Sequence, residues 1–547
     1  MKAFLKKPFV ILFLLGWAIF LLRLEQRPMA TRGEAREAIV AQSIVEQDRW
    51  ILGYGYGGVV PSKPPLMHWL IALASSVPGE VNNFTARLPS AVAAIGFVLG
   101  LFIFLSPILG EPRAALTSII LLTSLEWIQS GGSCRVDMLF ATSIAGGLLM
   151  TYRWLQSGSL GAPLGAITLF SAAVLTKGPA GIIIPAMVIG LYQVLDRVQL
   201  IRIVRNLSFI VLPVLILGSS WYVMAYLVRG PEFFTKFYYE NVSRMTGQED
   251  MPHSHSVLYL YLSLLVGLLP WSLALIPFLT KIVKLRFNSI KIGVRTYYQA
   301  QPISRFSLCA TFFILIFFSI PDSKRAVYLL PAYPFLAILM SAAVHSGYQS
   351  YHKFYRGIYL VFTSLVAVIF TALLALQSDL LFSATLKILD LGQDKQRALF
   401  HLIRGWPEAT YSHLFFIFLV VAISYTLLLC LVKARLKNPF DYGVLWGAIV
   451  ALFSVTLFTQ LYQCLSAQSF AQVLRNEVPE DATIYSYDYE FYGVSFYANR
   501  LIKRLAVSTP QSGYLVIFEK DLGDFKEVYG DRFSYEIVDR SQNSIDR

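Results

Sequence analysis

The chain has 547 residues, of which 56% are hydrophobic, 14% aromatic and only 14% charged, with a formal net charge of +13 and a mean hydropathy of +0.57. Soluble domains carry about 25% charged residues, so this composition excludes a soluble globular protein and indicates a polytopic membrane protein. The positive charge then reads as Lys and Arg retained in cytoplasmic loops rather than as a nucleic-acid surface.

The first segment, Met1 to Ala30, has a basic start and an apolar core, but Arg23, Glu25 and Pro28 make a poor cleavage site. It is expected to be a retained first span with a cytoplasmic N-terminus. The next stretch, Thr31 to Arg87, is a long polar and aromatic interval carrying Glu34, Arg36, Glu37, Lys63 and Arg87. Helical spacing over 34–48 places Ala35, Ala38, Ile39, Gln42 and Val45 on one side, with Glu34, Arg36 and Glu37 near the other. Lys63 precedes Pro64-Pro65, which biases it toward extended backbone and fixes where its ammonium points. Residues 64–77 are apolar but too short to span, and are expected to lie in the interface.

Runs long enough to span, about 17 to 25 residues each, fall near 8–22, 83–106, 114–130, 138–155, 161–176, 179–195, 207–228, 257–280, 306–320, 327–344, 356–377, 411–432 and 442–465. Thirteen spans put Lys2, Lys6, Lys7, Arg197, Arg202, Arg205, Lys281, Lys284, Arg286, Lys291, Arg295, Arg305, Lys433, Arg435 and Lys437 on one side. That arrangement satisfies the positive-inside rule. The interval 31–82, the loop 230–256 and the C-terminal tail then share the outer face. From about residue 466 a polar helix leads into β-like runs at Thr483–Tyr487, Tyr514–Glu519 and Phe533–Val538, with a helical DLGDFKEVY between the last two. Residues 1–465 are therefore expected to form an all-α membrane domain, and residues 466–547 a small soluble α/β domain. Cys134, Cys309, Cys430 and Cys464 are scattered, with no CxxC pair and no disulfide framework.

Ionisable groups near membrane depth are expensive, so where they occur is informative. They gather at outer-face helix ends: Glu34, Arg36, Lys63, Arg135 with Asp137, Lys177, Glu240 with Arg244, and Asp322 with Lys324 and Arg325. Several cations with two or more carboxylates suit an anionic, phosphorylated substrate together with a proton acceptor. Each carboxylate has an alternative role as a salt-bridge partner of an arginine two positions away, Glu34 with Arg36 and Asp137 with Arg135. Lys177 either snorkels at a helix end or binds substrate. Arg87 reads as structural. Tyr54, Tyr56, Trp69 and Trp221 suit an aromatic belt, and Tyr54 or Tyr56 could instead stack on a sugar.

The segments GEAREAIVAQSIVEQDRW, SKPPLMHWLIAL and FTARLPSAVAA resemble the first periplasmic loop of bacterial polyprenyl-phosphate-sugar glycosyltransferases. That family groups lipid A aminoarabinose transferases with relatives of the protein O-mannosyltransferases. The likeness continues through Arg135-Val136-Asp137-Met138, Leu175 to Pro179, Trp221-Tyr222-Val223, Glu240 to Arg244, Leu269 to Ser272 and Ser323-Lys324-Arg325, then Tyr328 to Pro331. It implies a GT-C fold in a bacterial inner membrane. It also implies sugar transfer from a carrier such as undecaprenyl phosphate to a periplasmic-face acceptor: lipid A, another glycan, a lipid or a protein. Lys63, Arg244 and Lys324 match basic positions near the donor phosphate, Asp137 a required acidic position, and Glu34 the second residue of an acidic pair. Glu34 and Asp137 are thus the candidate catalytic carboxylates. Arg36, Lys63, Arg135, Lys177, Glu240, Arg244, Lys324 and Tyr328 are the candidate substrate-binding residues.

The chain departs from the family pattern at Gly33, where many relatives have Asp, and at Ser62 and Asn241, positions associated with a bound metal. No metal or other cofactor is therefore assigned, although Glu249, Asp250, His253 and His255 offer a substitute set. A flippase for a lipid-linked saccharide, the rival reading, would place ionisable groups at span midpoints and broken helices in two related halves. Here the charges sit at span ends and no duplication is visible.

Overall fold

The computed structural model describes residues 7–22, 24–61, 63–159, 161–239, 255–277, 300–375, 438–455, 459, 462–463, 465–487, 489–505, 512–530 and 532–540. Helix α1 (Lys7–Phe20) leads into the polar interval, which folds as α2 (Arg32–Gln47) and α3 (Leu66–Ser75). The bundle continues with α4 (Asn83–Leu109), α5 (Glu111–Leu122), α6 (Leu125–Gly131), α7 (Val136–Ser157), α8 (Leu164–Lys177), α9 (Ala180–Leu195) and α10 (Leu200–Arg229). Next come α11 (Pro231–Tyr238), α12 (Val257–Gly267), α13 (Pro302–Ser319), α14 (Tyr333–Ala375) and α15 (Pro439–Val455).

Four described stretches are long and apolar enough to cross a membrane: Asn83–Leu109, Leu200–Arg229, Pro302–Ser319 and Ala326–His345. A fifth is the pair α6 and α7, bent by 118°. Six further helices of 10–17 residues are apolar but shorter. One expectation is corrected. The span read over 114–130 is two helices, α5 and α6, parted at Thr123 and Ser124, whose hydroxyls bond back to Ile119 and Ile120 carbonyls at 2.6 and 2.7 Å. The spans read over 327–344 and 356–377 lie on either side of a break in α14 at Tyr351, where φ of −122° and ψ of 20° are not helical. Apolarity marks what is buried, but only backbone geometry marks where a run breaks. The run expected at 411–432 lies outside the described residues.

Local chemistry explains the elements that frame the site. Thr31 caps α2 by accepting the Glu34 amide, and Asp48 ends it in the left-handed region. Asn82 and Thr85 form a reciprocal capping box at the start of α4. Gly131 lets α1 and α4 pack closely on the end of α6, because a Cβ there would stand 2.5 Å from the Phe20 ring and 2.9 Å from Ala94 Cβ. Lys177 is the last residue of α8, and Gly178 follows with φ of 76°, which turns the chain into α9.

The C-terminal segment contains α16 (Gln468–Glu477), β1 (Ile484–Ser486), α17 (Tyr492–Ala498), β2 (Ile502–Arg504), β3 (Tyr514–Val516) and α18 (Leu522–Tyr529). Its strands are parallel in the order β2-β1-β3, with Ile484 opposite both Ile502 and Tyr514. The run Phe533–Val538, expected as a strand, has no strand geometry; Tyr535, Ile537 and Val538 are exposed. Strand β2, two of whose three residues are the exposed Lys503 and Arg504, was not anticipated.

A core cluster of Met29, Ala35, Ala38, Ala41, Met67, Ile71 and Cys134 joins α2, α3 and the start of α7 into one block. Tyr492, Phe496 and Tyr497 of α17 pack against it.

Candidate active site

Helix α2 is buried on more than one side, which corrects its expected polar face. Ala35 and Ala38 are fully buried, but Glu34 and Glu37 are also only 1% and 3% exposed. Such burial requires partners, and both have them. Glu34 Oε1 accepts from Arg87 Nε at 2.9 Å and from the Cys134 amide at 3.1 Å. Arg87, itself 0% exposed, donates its remaining nitrogens to the carbonyls of Arg27 and Pro28. Burial would push the Glu34 carboxyl up, but the Arg87 charge and hydrogen bond outweigh it, so Glu34 stays ionised below the usual carboxylate range. The expected Glu34–Arg36 pair does not form: Glu34 pairs with Arg87, and Arg36 pairs with Glu37.

Glu37 is the first residue that sequence reasoning left out of the site. Its Oε1 accepts from Arg36 Nη2 at 2.6 Å and its Oε2 from His68 Nε2 at 2.8 Å. Burial again acts upward, but the charges and hydrogen bonds of Arg36 and His68 hold the carboxyl well below its ordinary 4.5. The pairing crosses 31 residues and has no local spacing signal.

Asp137, on the first turn of α7, gathers the second group. Its Oδ1 accepts from Lys177 Nζ at 2.5 Å, and its Oδ2 lies 3.4 Å from Arg135 Nε. The Lys177 ammonium also sits 4.7 Å from the Tyr328 ring centre and 5.2 Å from that of Phe140, so it is positioned and not merely snorkelling. Lys63 is close enough to act electrostatically on Asp137. Burial and the nearby Arg135 charge both pull the Arg325 guanidinium down, and Asp137 and Arg36 also act on it. Arg325 is thus a second residue that sequence reasoning left out of the binding set, because its neighbour Lys324 carried the motif. The Lys324 ammonium instead donates to the Pro321 carbonyl at 2.7 Å, within its own turn.

The assembled cluster therefore holds Lys63, Arg135, Lys177 and Arg325 around Asp137, with the Arg36–Glu37 pair on its edge, where Arg36 acts on Arg325. Positive charge exceeds negative, as an anionic ligand requires. Gly33 borders it: a Cβ there would lie 3.6 Å from Arg135 Cζ, and Arg135 keeps 30% of its side chain exposed. Glu240 and Arg244 lie outside the described residues, as do Ser62, Asn241, Glu249, Asp250 and His253. His255 stacks on Tyr259 with ring centres 4.3 Å apart. Among the described residues, no three His, Cys, Asp or Glu side chains are grouped to hold a metal ion.

Tyr54 lies between the Arg49 and Arg229 guanidiniums, at 4.7 and 5.4 Å from ring centre. The Trp69 and Trp221 indoles donate to the Trp50 and Ile51 carbonyls at 2.5 and 2.6 Å. These aromatics fasten the 48–60 loop to the bundle.

Comparison with known proteins gives the fold its relatives. Residues 62–223 match the family described as dolichyl-phosphate-mannose-protein mannosyltransferase. The structure of ArnT from Cupriavidus metallidurans bound to undecaprenyl phosphate superposes with a TM-score of 0.72 at 18% identity, covering 98% of this chain and 96% of that one. The chain thus shares the fold of that structure. In sequence it is 28% identical to the undecaprenyl phosphate-alpha-4-amino-4-deoxy-L-arabinose arabinosyl transferase of Aeromonas hydrophila, over 59% of this chain and 57% of that protein. The protein of the same description from Shewanella sediminis is 26% identical, over 61% of this chain and 59% of its own. The matched part thus spans less than two thirds of these curated relatives. The matched family segment contains Lys63, Arg135, Asp137 and Lys177.

Proposed function

We propose that this protein is a bacterial inner-membrane glycosyltransferase that moves a sugar from an undecaprenyl-phosphate carrier to an acceptor at the periplasmic face. The observation that carries this reading is the pairing of Lys177 and Arg135 with Asp137 at the helix ends, with Lys63 and Arg325 close enough to feel its charge, within a fold shared with an undecaprenyl-phosphate-binding protein. Displacement at the anomeric carbon transfers the bonding pair of the breaking C–O bond to the carrier phosphate. Lys63, Lys177 and Arg325 stabilise that charge in a site whose side chains are already placed. Attack from the opposite face inverts the configuration.

The acceptor oxygen in this reading is anionic, a phosphate such as lipid A presents. A hydroxyl acceptor needs a carboxylate free to take its proton. Among the described residues, Glu34, Glu37 and Asp137 are each bound to a cation or imidazole and at most 3% exposed, and Glu126, near enough to feel the Asp137 charge, is 9% exposed and accepts from the Ser130 hydroxyl at 3.2 Å. A phosphate oxygen is already ionised and needs no such base. Asp137 then holds Lys177 and Arg135 in register, and Glu34 supports the scaffold beneath. The membrane domain over 1–465 carries the reaction, and residues 466–547 lie outside the membrane on the same face.

The test is turnover by purified protein in nanodiscs, given undecaprenyl-phosphate sugars and cell-envelope acceptors, with products read by mass spectrometry. A sugar increment that disappears when the acceptor is first treated with phosphatase is expected. An increment on a hydroxyl of a phosphate-free acceptor overturns the acceptor assignment. No increment on any acceptor overturns the transferase reading.

A further inference from the structure

The C-terminal segment grips the helix that frames the site. Arg32, the first residue of α2, donates from Nη2 to Glu490 Oε2 at 2.5 Å. Its guanidinium carbon lies 5.3 Å from the Tyr489 ring centre and 5.1 Å from that of Tyr492. The Tyr492 hydroxyl donates to the same Glu490 oxygen at 2.8 Å. Beside this, the Tyr497 hydroxyl accepts from the Met29 amide at 2.5 Å and donates to Asn83 Oδ1 at 2.6 Å. Tyr497 therefore ties the backbone entering α2 to the start of α4. Farther along α2, Ile39 packs on the core formed by Ala471, Ile484, Val494 and Ile502.

An ion pair as open as this one, with side chains 47% and 29% exposed, stabilises little by itself. Arg32, however, contacts two ring faces and a carboxylate, and α2 cannot turn or slide without giving up all three. The residues that follow it are Gly33 against Arg135, Glu34 on Arg87, and Arg36 with Glu37. A small rotation of α2 would shift each of them relative to Asp137.

We propose that the C-terminal α/β segment is a positioning element for the site. Arg32, clasped by Tyr489, Glu490 and Tyr492, and Tyr497, bonded to Met29 and Asn83, are its positioning residues. The proposal deepens the transferase reading and rests on it for its kinetic consequence: the clasp sets α2 on the acceptor side and leaves Lys63 and Lys177 in place. Donor binding is then insensitive to the clasp, and turnover is not.

The test uses the full-length protein in nanodiscs, as Arg32→Met, Arg32→Lys, Tyr497→Phe and the charge-reversed pair Arg32→Glu with Glu490→Arg. Two readouts are taken: amide hydrogen exchange over residues 31–37, and kcat and KM with undecaprenyl-phosphate sugar donors. In Arg32→Met and Tyr497→Phe, exchange is expected to quicken and kcat to fall about tenfold, with donor KM within about twofold, as for a small misplacement of positioned groups. Arg32→Lys and the reversed pair recover part of both. Unchanged exchange in Arg32→Met overturns the clasp even if sugar transfer is robust. Quickened exchange with unchanged kcat overturns its role in turnover. A wild-type protein that transfers no sugar fails the transferase reading instead, while exchange still decides the clasp.

Discussion

Two ion pairs about one hundred residues apart in sequence but adjacent in space divide the labour of this region. Glu34–Arg87 is sealed, with side chains 1% and 0% exposed, and every nitrogen of the guanidinium is bonded within the protein. Asp137–Lys177–Arg135 is graded, from 4% exposure at the carboxylate to 14% and 30% at the cations. A sealed pair can only hold the fold, whereas a pair whose cations reach outward can also meet a ligand. Charge type does not separate the two. Access does.

The comparison breaks most sharply at Arg87. Arg87→Met leaves Glu34 buried and ionised without its partner, and should destabilise the protein by about 3–5 kcal/mol. Adding Glu34→Gln should restore a large part of this, as thermal unfolding in detergent would reveal. If Arg87→Met instead leaves stability unchanged and removes activity, the sealed pair belongs to the chemistry. At the graded cluster the expected signature is the reverse. Lys177→Ala or Lys63→Ala should lower kcat by about a hundredfold or more with modest change in unfolding temperature, measured as transfer from undecaprenyl-phosphate sugar.

Gly33 offers a smaller and sharper probe. Gly33→Asp places a carboxylate beside Arg135 and removes a glycine from the first turn of a helix. It should stabilise the protein by about 0.5–1 kcal/mol and, by occupying Arg135, raise the acceptor KM. An unchanged acceptor KM would separate Arg135 from acceptor binding.

The mildest effect is on pH. Glu34 and Glu37 both have folded-state values below their ordinary 4.5. Their contribution is therefore complete above that value and is lost as pH falls below it, toward their lowered folded values. Unfolding temperature should be flat in this respect above about pH 5 and decline below about pH 4.5, less steeply in Glu37→Gln.

Composition and apolar runs alone determined that the chain is a helical membrane protein, because burying nonpolar surface at helical spacing leaves its record in local sequence. The sequence also picked out charged residues that the fold brings together: Lys63, Arg135 and Lys177 all lie near Asp137, since charges retained at the ends of apolar helices are few. Tertiary structure alone decided their roles. Glu34, read as a candidate base, faces Arg87 across 53 residues, and Glu37 is completed by His68 across 31. Lys324 turns to its own loop while Arg325 takes its place in the cluster. A sequence records which groups must be partnered, but the partner's identity depends on distances between helices that no local spacing encodes.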